Sequence, residues 1–330
     1  MSRVTGRALG LGVLGASSQV YRAVVVDAIH ATDGVQLVHE ASRSLRVEAG
    51  SIRRSTEYQE VLADPDVDIV YLPLPNHLHE EWVLACADAG KHILCEKPLA
   101  IHEASARRMV DGCEAAGVVL LEAYMSPFHP RSTAVQQAVS DGVVDQILHG
   151  EARMSGLLPA DNHRWAVANG GGALLDVGIY CLEPILTAMG WQGGAPETVA
   201  AASRFGGDGV DETTSAWLAF GDGRTARLWV SFAAPDQQRL VLTGRGGSIE
   251  VTHHATPDRG DDGYDLRHPD GSVQPVATGA GDCYEGMVAH MRDVVNGVAK
   301  PLRDGRRSVA LAGLIDRIAA AAGHQRVNGG

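Results

Sequence analysis

The chain has 330 residues, 45% of them hydrophobic, and a formal net charge of -12. That length buries a large core and favours two domains over one. An acidic balance without a clustered basic stretch excludes nucleic acid and an anionic membrane surface as the main partner, because both need Lys and Arg gathered on one face. Residues 8–14, ALGLGVL, form a short apolar run that ends in Gly15-Ala16-Ser17-Ser18. With Arg3 and Arg7 before it the run imitates a secretion leader, but it is short and broken by glycine, so it reads as a first strand. No stretch approaches the roughly 20 apolar residues of a membrane span.

After the turn, residues 20–29 have helical character, and the alternation continues. Strands are expected at 36–40, 68–72 and 92–95, with helices at 57–63 and 79–89 between them. A further helix, 102–116, ends at Gly117, and 118–123 reads as one more strand. Alternation of this kind implies a parallel sheet with right-handed crossovers. A dinucleotide-binding unit is thus predicted over 1–123. Beyond it, over 124–330, the pattern changes to α+β: helices at 131–139 and 173–189, then β-rich runs at 197–204, 213–220, 225–232, 239–244 and 248–252 separated by Gly/Asp turns. That spacing suggests a large, mainly antiparallel sheet. Two final helices, 284–296 and 307–323, close the chain and are candidates to pack back on the first domain. The predicted fold class is α/β, a Rossmann domain followed by an α+β substrate and oligomerisation domain.

Five cysteines without CxxC or His-paired spacing support neither a disulfide framework nor a metal site, and they read as reduced core thiols in a cytoplasmic protein. Lysine occurs only as Lys91, Lys97 and Lys300 among many arginines. A lysine kept at 97 in such a chain directs attention to an ammonium with a movable proton.

Gly15-x-Ser17-x-x-Val20 stands where GxGxxG would stand, after a strand and at the opening of a helix. Gly15, Ala16, Ser17, Ser18, Gln19 and Val20 are therefore candidates to cradle a pyrophosphate on backbone N–H groups and the positive end of a helix. The same turn also fits another doubly wound domain. At the end of the second strand, where a carboxylate would accept the ribose hydroxyls of NAD, the chain has Ala41-Ser42-Arg43-Ser44. Ser42 and Arg43 suit a 2′-phosphate, so NADP is the preferred cofactor. NAD stays open if Glu40 reaches the ribose.

Four further runs carry a resemblance: Tyr58-Gln59-Glu60-Val61-Leu62, Leu74-Pro75-Asn76-His77-Leu78-His79, Gly90-Lys91-His92-Ile93-Leu94-Cys95-Glu96-Lys97-Pro98-Leu99, and Gly170-Gly171-Gly172-Ala173-Leu174-Leu175-Asp176-Val177-Gly178-Ile179-Tyr180. Together they resemble the Gfo/Idh/MocA oxidoreductases over essentially the whole chain. The resemblance implies that Glu96-Lys97-Pro98 follows a strand at the nicotinamide end where the domains meet, with a cis peptide before Pro98. Leu72, Pro73, Asn76, His79, Glu96 and Lys97 would then lie along the cofactor. Surface or helix-capping roles for His77 and His79 stay open.

Asp176 and Tyr180 are four residues apart on a predicted helix and so share a face. Many members of the family carry His where this chain has Tyr180. The Tyr form resembles the branch with glucose-fructose oxidoreductase, dihydrodiol dehydrogenase and sugar ketoreductases, which implies Tyr180 as acid/base, Lys97 as its charge partner and Asp176 as an orienting group. A Tyr that merely packs in the core is the plainer alternative. Arg164 is a candidate clamp for an anionic group and Trp165 a platform for a sugar face. Tyr124, with His129 and Arg131, follows the domain crossover and is a candidate for the substrate pocket or for a plain interface role.

Two departures bear on these expectations. The stretch from Arg43 to Tyr58 is short for the family, and Ser126-Pro127 replaces an aromatic and an arginine in the substrate loop. The function expected is hydride transfer between nicotinamide and a sugar or ketosugar, including a nucleotide-activated keto-deoxysugar. The alternatives are a trans-dihydrodiol or aldose dehydrogenase and, in a different class, a non-catalytic NADP sensor. A homodimer or homotetramer is expected, with no metal.

Overall fold

Strand β1 (Leu9–Leu14) is buried at every position, as a strand covered on both faces must be. Two of its residues are glycine for want of space: a Cβ on Gly12 would press into the side chains of Val61 and Val67. Around it the computed structural model, which describes residues 7–43, 50–206, 208–256 and 263–324, divides into two units. The first comprises Met1–Met125 and Asp282–Val309, the second Ser126–Gly281 and Ala310–Gly330. The chain therefore crosses between units more than once.

In the first unit β1 is joined by β2 (Val35–Ala41), β3 (Arg53–Ser55), β4 (Ile69–Leu72), β5 (His92–Glu96) and β6 (Leu120–Ala123). All pair in parallel in the spatial order 3-2-1-4-5-6 of the dinucleotide-binding fold. The crossover after β1 opens as a π-helix over Tyr21–Val25 and continues as α1 (Val26–Ala31). Those that follow are α2 (Tyr58–Ala63), α3 (His79–Asp88) and α4 (Glu103–Ala116), which stops at Gly117 in the left-handed conformation. Sequence reading did not anticipate β3, a three-residue edge strand with two arginines and no apolar alternation.

The second unit opens with α5 (Pro130–Ser140), followed by β7 (Ile147–Ser155) and α6 (Ala173–Ala188). The remaining strands are β8 (Thr198–Phe205), β9 (Asp211–Ala219), β10 (Thr225–Ser231), β11 (Gln237–Gly244), β12 (Gly247–Thr252), β13 (Gly263–Arg267) and β14 (Val273–Ala277). They form one eight-stranded sheet in the order 14-13-12-11-7-10-9-8, antiparallel except where β7 meets β10. Helix α6 packs across β7, β9, β10 and β11. The approach is close: a Cβ on Gly150 would collide with Ile185. Alternation in the strands then puts Ala152, Leu218, Leu228 and Leu240 into the buried layer, and Trp217, Arg227 and Trp229 on the other face.

Strands β7, β13 and β14 were not legible beforehand. β7 reads ILHGEARMS, whose open-face positions carry charge and whose buried ones include Gly and Ala, so its alternation carries little hydrophobic contrast. The chain closes with α7 (Cys283–Val295) in the first unit and α8 (Gly305–Ala321), which begins in the first and ends in the second. All five cysteines are free and buried. Burial pushes their thiols up where shifts are resolved, that of Cys113 to about 11. Among the described residues no helix is long and apolar enough to cross a membrane.

Candidate active site

The first half-site lies at the carboxyl ends of β1, β2, β4 and β5. Gly15 follows β1 with φ of 106°, a conformation that favours glycine, and a Cβ there would meet Leu74 Cδ2 at 2.9 Å. Its N–H and that of Ala16 both donate to Ala41 O, at 2.8 and 3.0 Å, which ties the turn to the end of β2. Ser17 is exposed in the turn, and its hydroxyl shares a 2.7 Å hydrogen bond with that of buried Ser42. Ser18, Gln19 and Val20 lead into the helical segment with partly open side chains. Arg22, which sequence reading passed over, reaches back with Nε to Ala16 O at 3.0 Å and sets a cation beside the turn.

Glu40, the residue that would reach a ribose, is 7% exposed and already accepts two side-chain hydrogen bonds. Its Oε1 accepts from Tyr21 Oη at 2.5 Å and its Oε2 from Arg54 Nε at 3.0 Å. Burial, with the carboxylate as acceptor, raises the Tyr21 phenol far above its ordinary range, so it stays a donor. What β2 presents at its end is Ser42 and, beyond it, exposed Arg43, which hydrogen-bonds to Tyr58. Residue 44, the last of the quoted Ser-Arg-Ser run, lies outside the described residues.

Lys97 follows β5, half-buried, and the peptide bond to Pro98 is cis. Several elements hold this segment. Glu96 accepts from Tyr71 Oη at 2.7 Å through Oε1 and from the Lys97 N–H at 3.2 Å through Oε2. The Tyr71 phenol is pushed well up by burial and by Glu96, which keeps it protonated for that contact. Glu122, on β6, accepts the Leu99 N–H at 2.9 Å with Oε1, while its Oε2 takes Ser308 Oγ at 2.7 Å and Arg303 Nη2 at 3.3 Å. Leu72 and Pro73 are buried below, and half-buried Asn76 opens the 3-10 turn before α3.

His79, expected along the cofactor, is 0% exposed. Its Nδ1 stands 3.1 and 3.2 Å from Pro98 O and Leu99 O, and its Nε2 is 2.9 Å from Leu74 O. Burial pulls its pKa down against three backbone acceptors that raise it. A histidine so enclosed braces the Lys97 turn from behind. Tyr124 is likewise buried, with the Arg303 guanidinium 5.2 Å above its ring.

The second half-site is the start of α6. Gly172 has φ of 113°, and a Cβ there would run into Asp211 Oδ1, while one on Gly171 would run into Arg164 O. The glycine run thus lets the Arg164 loop and the Asp211 carboxylate close on the helix end. Asp211 Oδ2 accepts Leu174 N at 2.8 Å and Thr214 Oγ1 at 2.7 Å, and burial pushes its pKa up. Asp176 and Tyr180 are both buried, at 8% and 5% exposure. Arg164 Nε lies 3.1 Å from Asp176 Oδ2, so this arginine, expected to clamp an anion, is engaged with the carboxylate beside it. Trp165, half-open, donates from Nε1 to Pro159 O at 2.9 Å and stands edge-on to Phe232.

Sequence reasoning thus missed Tyr71, Glu122, Arg303 and Asp211. Glu122 carried a signal, a carboxylate inside an otherwise apolar strand. The others had none, because their partners lie 25 or more residues away along the chain.

With this geometry in hand, the comparisons with known proteins are decisive. Residues 9–124 match the oxidoreductase family with the NAD-binding Rossmann fold, and residues 132–250 match the GFO/IDH/MocA C-terminal domain. The chain belongs to the GFO/IDH/MocA oxidoreductases. An uncharacterized oxidoreductase of Rhizobium meliloti is 36% identical over 258 residues, 75% of this chain and 76% of that one. The D-xylose 1-dehydrogenase (NADP(+)) 2 of Haloferax volcanii is 33% identical over 264 residues, 79% of this chain and 80% of its own. Among solved structures, the 3-ketoreductase KijD10 of Actinomadura kijaniata, in complex with NADP and TDP-benzene, superposes with a TM-score of 0.86 at 26% identity, covering 96% of this chain and 98% of that one.

Proposed function

We propose that this oxidoreductase transfers hydride between NADP and a sugar or ketosugar, with Lys97, Tyr180 and Asp176 acting in one reaction. The observation that carries the reading is the multiply held turn after β5, which spends four side chains, Tyr71, His79, Glu96 and Glu122, on fixing the backbone around a single lysine. So much bracing of one half-buried ammonium fits a group whose position decides a rate.

The residues at the nucleotide turn fit NADP. Gly15 admits no side chain, Glu40 is spent on Tyr21 and Arg54, and Ser17, Ser42 and Arg43 offer hydroxyls and a cation where the 2′-phosphate would sit. Ala16, Ser18, Gln19 and Val20 would present backbone to the pyrophosphate, and Leu72, Pro73, Asn76 and Glu96 would flank the nicotinamide side. When bound, the nicotinamide supplies or takes up the hydride. In the reductive direction Tyr180 gives its proton to the carbonyl oxygen, and Lys97 polarises that oxygen and favours the phenolate left behind. Arg164 pairs with Asp176 and orients it toward substrate hydroxyls, and Trp165 stacks on the sugar.

The KijD10 complex with NADP and TDP-benzene favours a nucleotide-activated ketosugar as substrate. An aldose dehydrogenase is the second reading, favoured by the Haloferax relative. The five buried, free thiols fit the cytoplasm. The open face of the second sheet, with Trp217 at 41% exposure, fits a second copy of the chain in a homodimer or homotetramer.

The test is a fluorescence titration with NADPH and NADH, followed by a panel of keto-sugars and aldoses read at the nicotinamide absorbance. Tighter NADPH binding with turnover on a ketosugar is expected. Binding without turnover on any substrate would return the protein to the sensor class.

A further inference from the structure

Helix α6 lacks one donor of its own ladder. Pro184 lies inside it, and a proline has no N–H for the carbonyl four residues back, which belongs to Tyr180. A side chain from elsewhere in the second unit supplies the donor: His254 Nε2 stands 3.0 Å from Tyr180 O. His254 is 6% exposed, and its Nδ1 has no hydrogen-bond partner among the described residues. The ring's single proton therefore belongs on Nε2, aimed at that carbonyl. Burial first, then the nearby charges of Arg131 and His253, push its pKa down to about 4, which keeps the ring neutral near pH 7.

The segment that delivers this ring is gripped on both sides. Arg131, 2% exposed, donates from Nη2 to His253 O at 2.7 Å, and Ser126 Oγ donates to Ala255 O at 2.5 Å. His253 itself takes φ of 48°, uncommon for a residue with a side chain, and its N–H reaches Gln238 O at 3.2 Å. Two buried polar side chains and a left-handed residue thus converge on placing one imidazole N–H at the one carbonyl the proline deprives.

We propose that His254 is a positioning residue for Tyr180: it replaces the helical hydrogen bond lost at Pro184 and so fixes the backbone from which the phenol projects. The proposal rests on the reading of Tyr180 as the proton donor. It also gives Arg131 and Ser126 a function, as the clamps that hold His254 in place.

The experiment is a mutant cycle in the full-length chain with His254→Phe, Pro184→Ala and the double variant, read by kcat, KM, the pH profile of kcat and the melting temperature. His254→Phe should lower kcat roughly tenfold and displace the Tyr180 limb of the pH profile, with KM nearly unchanged. Its melting temperature should fall by about 2–4 °C. Pro184→Ala restores the backbone donor, so in that background both losses should largely vanish. His254→Gln, which keeps an N–H donor, should recover part of the rate and serves if the Phe variant folds poorly. Equal losses from His254→Phe in both backgrounds, or an unchanged kcat with its pH profile, would overturn the proposal. Full activity in Tyr180→Phe would remove the proton donor and with it this role. That failure is distinct, because the melting temperatures would still couple His254 to Pro184.

Discussion

Each unit carries a buried histidine behind the backbone of a catalytic candidate, and the two are built differently. His79 in the first unit faces carbonyls on both sides of its ring, and Tyr71, Glu96 and Glu122 hold the same turn. His254 in the second makes one hydrogen bond among the described residues, to Tyr180 O, and a cationic Arg131 sits near it. The Lys97 turn is therefore held by several side chains, whereas the Tyr180 carbonyl that Pro184 deprives of its ladder donor is met by the His254 ring. The difference follows from local structure: a turn between strand and helix exposes several backbone groups to be captured, while a helix with one internal proline exposes one.

The largest effect should come from removing the lysine that the first unit braces. Lys97→Ala is expected to lower kcat by about 10³-fold while the melting temperature and NADPH affinity change little, as steady-state kinetics and a fluorescence titration would show. Next comes the brace itself. Glu122→Ala removes the acceptor of the Leu99 N–H and one partner of the Arg303 cation, whose side chain is 11% exposed, so a loss of about 3 kcal/mol is expected in chemical unfolding. A loss under 1 kcal/mol would show that the turn holds without it.

Acid should separate the units. The folded pKa of His254, about 4, lies below the unfolded value near 6.5, so the unfolded chain takes up the proton first as pH falls. Its contribution is complete above pH 6.5 and is lost between 6.5 and about 4. Over those 2.5 units the loss is roughly 3 kcal/mol at 1.36 kcal/mol per unit. His79 is lowered by burial too, but carbonyls on both sides tolerate a proton better than a neighbouring guanidinium does. Hydrogen exchange at pH 5 should therefore rise in α6 before it rises around β5, and the reverse order would break the comparison. The smallest effect belongs to the cofactor's far end: Arg43→Ala should weaken NADPH about tenfold and leave NADH unaffected, measured by titration.

Much of the first unit was legible because its signals are local. Gly15, Glu96, Lys97 and Pro98 stand in contiguous runs, and four of the six strands are short apolar stretches whose burial follows from composition. Edge strand β3 and central strand β7 were not, since charge on their open positions hides the period. In the second unit the residues that share a face of α6, Asp176 and Tyr180, followed from spacing alone. What holds them did not. Asp211, 37 residues beyond Leu174, and His254, 74 beyond Tyr180, meet the helix only through the fold. Arg164 beside Asp176 was read as a clamp for substrate because no spacing rule announces a loop-to-helix ion pair.

Isotope transfer shows directly whether this chain moves a hydride. NADPH deuterated at the transferring position of its nicotinamide would be incubated with the purified protein and a nucleotide-activated ketosugar, and the sugar analysed by mass spectrometry. One deuterium is expected on the reduced carbon for each NADP formed. Bound cofactor with no deuterium in any sugar, from protein that retains its fold, would contradict it.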